Sequence, residues 1–365
     1  MSSSPTVFFP SPIGGVPFTI DLAPSVLFAL LYAALAPLVI YRVASAKSRT
    51  IILAGTFIFS LQRIADMALR AQEAHVPSDR TSNSNIKYLQ TTYATGFIGM
   101  GHGLLEMLRC LLMSATKGTP PSETSATCPN DIELQRPPIG ESTNTSPSKM
   151  GSKDNVGVVY TPVDSMRSRS FSFTPIPATT ALFPPTREDQ PGRRKRIQTI
   201  ASLTLIPFGI SILMAIIAGN NYYKSFTSAS EGHTVGLVRA ASTSLALILF
   251  QATNITAFTC MVTDRRVSRG RALYICALTC LLSVVGVYRL VVMRCTTDAL
   301  ESAAPCSLNS TAAKAAFYVF HMAPEYLTAV AIWGVNIRAT FQTGTWGKHA
   351  RATQSLYFTK DSRRF

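Results

Sequence analysis

The chain has 365 residues, 47% of them hydrophobic and 15% charged, with a mean hydropathy of +0.22. Soluble domains carry about 25% charged residues, so this composition argues against an ordinary soluble domain and points to the membrane. The net charge of +15 does not indicate nucleic acid. The basic residues gather in loops beside apolar stretches, where they orient spans and meet the headgroups of membrane lipids.

Residues 1–20 are rich in Ser, Pro and Gly and read as a short extracellular tail. They hold no Lys or Arg, so the basic region of a cleaved signal peptide is missing, and the first span is expected to serve as an uncleaved anchor. Residues 21–114 contain three predicted transmembrane helices. The first runs from about Leu22 to Tyr41, close to the roughly 20 residues that cross the hydrocarbon core. Pro37 lies near its inner end, and Arg42, Lys47 and Arg49 follow it. The second, from about Thr50 to Ala71, carries Arg63, Asp66 and Arg70. The third, from about Tyr88 to Met113, carries His102, Glu106 and Arg109 at i, i+4 and i+7, on one helical face.

Residues 115–196 contain no sustained apolar period, and residues 115 to 197 hold 12 of the chain's 22 prolines. This composition predicts a disordered cytoplasmic loop. Within it, Arg167-Ser168-Arg169-Ser170-Phe171-Ser172 places basic residues before serines. Ser168, Ser170 and Ser172 are therefore phosphorylation candidates, since phosphate there would offset nearby positive charge. A plain solvated run is the simpler reading. Residues 197–338 hold four more predicted helices, from about Ile197 to Ala218, Val235 to Val262, Ala272 to Met293 and Thr311 to Ile337. Residues 339–365 form a basic, polar tail.

The fold class predicted is thus an all-α integral membrane bundle of seven transmembrane helices. Alternation of the loops puts 24 Lys and Arg on one side and 5 on the other; without the long loop the bias is 13 to 5. It places the N-terminus outside and the C-terminus in the cytoplasm. Two features agree. Asn309-Ser310-Thr311 is a glycosylation sequon in the last outer loop. Cys295 and Cys306 close that same loop in an oxidising compartment, where a disulfide and two unpaired thiols are both open readings.

A charge at mid-bilayer costs about 2.5–3.5 kcal/mol on insertion scales, and such residues usually line a pathway or site. Arg63, Asp66, His102, Glu106, Arg289, His321 and Glu325 are the ligand-binding candidates. Expected pairs are Arg63 with Asp66, Glu106 with Arg109, and Arg289 with Glu325. Helix-to-helix glue is the bland alternative, contributing about 0.6 kcal/mol per contact. Five Arg against three carboxylates make the set cationic by about two, which favours an anionic, amphiphilic small molecule in a cavity open to the outside. Arg70 and Arg239 are expected to snorkel to the interface.

No P-loop is present and no cysteine pair has metal-site spacing, so the reading assigns no catalytic residue, cofactor or metal. A retinal lysine is not in mid-span, Lys314 being at the edge of the seventh helix. The motifs of rhodopsin-type receptors are missing at the inner end of helix 3 and in helix 7. A seven-helix receptor of another type, with residues 115–196 binding a cytoplasmic partner, stays open. So does a membrane zinc hydrolase using His102 and His321 with Glu106, Glu325 or Asp66.

Val287-Tyr288-Arg289-Leu290, a short outer loop, and Ala316-Phe317-Tyr318-Val319-Phe320-His321-Met322-Ala323-Pro324 resemble the closing section of the fungal lipid-translocating exporters, the aminocholesterol-resistance-type proteins. The second span, with Arg63 and Arg70, is loosely similar, and the seven-span topology matches. This chain departs where the family has a Glu just after the helix 6 Arg, since Val292 and Met293 follow here. It also has His321 at a position where the family is acidic, and a far longer loop between helices 3 and 4. The resemblance implies a plasma-membrane protein linked to lipid asymmetry or to resistance to amphiphilic toxins.

Overall fold

The computed structural model describes residues 7–118 and 188–344. Ser168, Ser170 and Ser172, most of the loop after the third helix, and residues 345–365 of the C-terminal tail lie outside the described residues.

Among the described residues seven helices are long and apolar enough to cross a membrane, at the places the hydropathy marks, and the protein is a multi-pass membrane protein. They are α1 (Leu22–Ala44), α2 (Ile52–His75), α3 (Asn83–Ala115), α4 (Pro191–Asn220), α5 (Ala229–Thr263), α6 (Arg269–Val292) and a seventh, interrupted span. Only a helix satisfies its own backbone in hydrocarbon, and the 23 residues of α1 reach about 34 Å at 1.5 Å per residue. The first turns of α4 contain Arg193–Arg196, so this basic run belongs to the helix. Arg193 pairs with Asp264 at 2.7 Å, and Arg194 with Asp189.

The seventh span consists of α7 (Thr311–Phe317), one π-helical turn (Tyr318–Met322) and α8 (Ala323–Gly334). Pro324 has no N–H to offer the carbonyl four residues earlier, and its ring crowds that carbonyl. A wider turn just before it relieves both. A short helix α9 (Ile337–Phe341) follows.

Burial ranks the helices. In its most apolar window α3 is 67% buried, whereas α4 is 22% buried. Leu30, Ile58, Ile200, Ile248 and Val291 are exposed on the outside of the bundle, where lipid belongs. Inside, α4 and α5 are joined by a reciprocal pair: Ser211 Oγ donates to the Ser242 carbonyl and Ser242 Oγ to the Ser211 carbonyl, each at 2.8 Å. Small polar residues let membrane helices approach and bond in this way.

The largest departure from the sequence reading is the N-terminal segment. Residues 9–17 are all buried, against the expectation of a tail. β1 (Phe9–Pro10) pairs antiparallel with β2 (Thr296–Thr297), with Phe9 opposite Thr297. The chain then turns at Gly14 and Gly15, with φ of +79° and +62°, and runs on to α1. A Cβ at Gly15 would sit 2.4 Å from the Leu308 carbonyl oxygen, so both the backbone sign and the close approach require glycine there. The segment lies across one end of the bundle, the end called outer below.

Candidate functional site

Arg63 of α2 is the centre of the buried polar set. Its Nε donates to Glu325 Oε2 and its Nη2 to Glu325 Oε1, both at 2.9 Å, and its Nη1 to Asp66 Oδ2 at 2.5 Å. All three side chains are fully buried. The guanidinium also lies 4.8 Å from the Phe59 ring and 5.3 Å from that of Tyr93. α3 comes this close because position 96 is glycine: a Cβ there would be 2.7 Å from Arg63 Nη2. A planar fork meeting a carboxylate edge-on is the strongest geometry open to such a pair.

His321 sits on the π-helical turn, one helical turn before Glu325, with its Nε2 3.9 Å from Glu325 Oε1. Phe317 stacks on it at 5.3 Å, and Tyr93 and Tyr288 border it at 5.8 and 6.1 Å. Among the described residues neither ring nitrogen has a hydrogen-bond partner. The same is true, among the described residues, of the Tyr93 hydroxyl, and all three atoms are buried.

A second group ties the N-terminal segment down. Arg70 Nη2 donates to the Gly14 carbonyl at 2.5 Å and to Asp21 Oδ1 at 3.0 Å, and its Nε donates to Tyr318 Oη at 3.1 Å. Lys314 pairs with Asp21 and donates to the Val16 carbonyl at 2.6 Å. The expectation for Arg70 is corrected: it does not snorkel, being 1% exposed, and Lys314, near the start of the seventh span, is buried as well. The positive-φ turn aims carbonyls inward, and a buried carbonyl needs a donor.

Arg239 and Arg289 form a third group. Arg239 donates to Gln90 Oε1 at 3.2 Å and to the Ser11 carbonyl at 3.4 Å, and lies 5.1 Å from the Tyr222 ring. It too is buried rather than snorkelling. Burial pushes the Tyr222 phenol above its ordinary range, so it remains a donor, here to the Pro10 carbonyl at 2.5 Å. Arg289 donates to the Tyr93 carbonyl at 2.7 Å and lies 5.2 Å from the Phe97 ring. The expected pair of Arg289 with Glu325 does not form, because Arg63 occupies both oxygens of that carboxylate. Among the described residues neither Arg239 nor Arg289 has a carboxylate within 4.0 Å.

The structure therefore brings Arg63, Asp66, His321 and Glu325 together, with Arg289 nearby across Tyr93. His102 and Glu106 stand apart. His102 packs edge-on to Phe208 of α4 at 6.1 Å, and Glu106 pairs with Arg109 at 2.5 Å. His102 therefore faces α4, away from Arg63, and Glu106 is taken up by a cation of its own helix. His102 and His321 thus do not meet. Among the described residues no group of three His, Cys, Asp or Glu is placed to hold a metal ion.

Two outer-loop candidates are also located. Asn309 Nδ2 donates to the Leu300 and Ser302 carbonyls at 2.8 and 2.9 Å, and its Oδ1 accepts from the Val16 N–H at 2.8 Å. Both hydrogens of the nitrogen that a glycan would need are thereby engaged, which counts against the glycosylation candidate. Cys295 and Cys306 are unbonded thiols, and the backbone carbonyls of both accept from Ser11.

The cavity under the segment, lined by residues including Pro12, Val16, Arg70, Glu73, Gln90 and Tyr93, has room for about one water. The expected cavity open to the outside is closed, and residues 9–17 close it. Charge accounting also changes. Arg63, Arg70, Arg239, Arg289 and Lys314 face Asp21, Asp66, Glu73 and Glu325, an excess of one. Composition had hidden Asp21 and the role of the segment, although an acid directly before an apolar span was a usable signal.

Compared with protein-family models, curated proteins and solved structures, the chain finds no match.

Proposed function

We propose that the protein is a non-enzymatic plasma-membrane protein that binds an amphiphilic molecule with an anionic head, in transport or in resistance to such molecules. One observation carries this reading: Arg289 is 1% exposed and has no carboxylate partner among the described residues. An uncompensated buried cation is costly, and a guest anion would offset that cost. Arg239 adds a second such charge, and the unpartnered Tyr93 hydroxyl and His321 ring offer further polar contacts to a headgroup. The resemblance of the Arg289 and Phe317–Pro324 stretches to the lipid-translocating exporters supports the same reading. Binding requires residues 9–17 to yield or the guest to enter sideways between helices.

The test uses full-length protein in nanodiscs and three fluorescent lipids with the same tail: phosphatidic acid, phosphatidylcholine and a cationic lipid. Expected is preference for phosphatidic acid, weakened at least tenfold by Arg289→Gln, which removes the charge and keeps a donor. Equal binding of the three lipids, or unchanged binding in the variant, overturns the proposal.

A further inference from the structure

Ser11 is held from both sides by the two cysteine residues of the last outer loop. Its N–H donates to the Cys295 carbonyl at 3.0 Å, and its hydroxyl donates to the Cys306 carbonyl at 2.6 Å. The clamp sits where β1 pairs with β2, and β2 starts directly after Cys295. Part of the segment's hold on the bundle therefore runs through this loop, beside the bonds it receives from Arg70, Lys314, Tyr222 and Arg239.

We propose that Cys295 and Cys306 form a redox latch: as free thiols they leave residues 9–17 held by hydrogen bonds that can open, and their disulfide locks the segment over the outer end of the bundle. Cys306 is exposed and Cys295 partly buried, so Cys306 meets a soluble oxidant first. The step is thiol–disulfide exchange with a small-molecule disulfide such as oxidised glutathione. The Cys306 thiolate attacks one sulfur of that disulfide and expels one thiol. The Cys295 thiolate then displaces the second thiol from the mixed disulfide. One protein S–S bond forms and one glutathione S–S bond breaks. The two protons lost by the cysteines leave with the two glutathione thiols. The cross-link closes the short loop from Cys295 to Cys306 and so restricts the opened state of the strand and turn that Ser11 bonds to. The outer side is the oxidising side by the charge bias of the loops. The latch concerns the closure itself and holds whatever the bundle binds.

The experiment uses full-length protein purified in detergent without reductant. Free thiols are alkylated and peptides mapped by mass spectrometry, and hydrogen–deuterium exchange is followed for residues 9–17 with and without dithiothreitol. Expected are a Cys295–Cys306 cross-linked peptide and exchange of the Ser11, Ile13 and Val16 amides at least tenfold faster after reduction, while α3 is unchanged. Cys295→Ser/Cys306→Ser should exchange at the reduced rate with or without dithiothreitol. Alkylation of both cysteines in the unreduced protein, including after incubation with oxidised glutathione, overturns the proposal. So does a cross-link whose reduction leaves exchange at 9–17 unaltered. The wild-type comparison decides the matter if the double variant does not fold.

Discussion

Arg63 and Glu325 meet edge to edge, Nε to Oε2 and Nη2 to Oε1, each at 2.9 Å, and join α2 to the seventh span where neither side chain touches water or lipid. Removing one partner strands a charge in a medium that cannot solvate it. Glu325→Ala is expected to destabilise the protein by about 3–5 kcal/mol, read as a lower melting temperature in detergent. Arg63→Met/Glu325→Leu should recover part of the loss, the remainder being the cost of Asp66 left without its cation. Equal melting of wild type and Glu325→Ala would contradict the pairing.

Arg289 predicts the opposite sign. Its charge is uncompensated within the described bundle, so Arg289→Gln should leave the melting temperature unchanged or raise it, while binding of an anionic lipid falls. A purely structural arginine would instead show a clear loss of stability. The pair of measurements separates a residue kept for function from one kept for packing.

The turn at Gly14 and Gly15 aims the Gly14 carbonyl at Arg70. Gly15→Ala meets both a positive φ and a carbonyl oxygen at 2.4 Å, and so should cost more than the roughly 1 kcal/mol typical of a misplaced alanine. The expected signature is local: faster amide exchange in residues 9–17, with the helices protected as before. Exchange spreading through α3 would show that the segment is needed for the whole bundle.

Asn309 uses its whole amide inside the outer loop. Peptide N-glycosidase treatment should leave the gel mobility of the protein unchanged at this site. Asn309→Ala should release Val16 and the Leu300–Ser302 turn, at about 1 kcal/mol per hydrogen bond lost. A mobility shift that Asn309→Ala abolishes would show that the amide is free in the cell and the hydrogen bonds transient.

Thiol reactivity has a sign of its own. Burial, and then the neighbouring Cys306, raise the Cys295 thiol above its ordinary range. In the reduced protein Cys295 should therefore alkylate more slowly than Cys306 near neutral pH, with the gap narrowing as pH rises. Equal rates across that range would place Cys295 in open solvent.

The seven spans, and a polar set carried within them, were legible in the residues themselves. Apolar runs of this length have one stable form in lipid, since the backbone must satisfy itself by helix formation. The local pairs Arg63 with Asp66 and Glu106 with Arg109 were legible for a related reason: three residues of helix bring two side chains onto one face. What packing alone decided is which faces look at each other. The rotation of α3 set His102 against α4, the proximity of α2 gave Glu325 to Arg63 and left Arg289 with no carboxylate among the described residues, and a Gly-Gly turn folded a Ser- and Pro-rich segment into the outer end. Those outcomes depend on contacts between residues up to 298 positions apart, as in Lys314 to Val16, and no local pattern encodes which distant carbonyl or carboxylate will stand opposite a given cation.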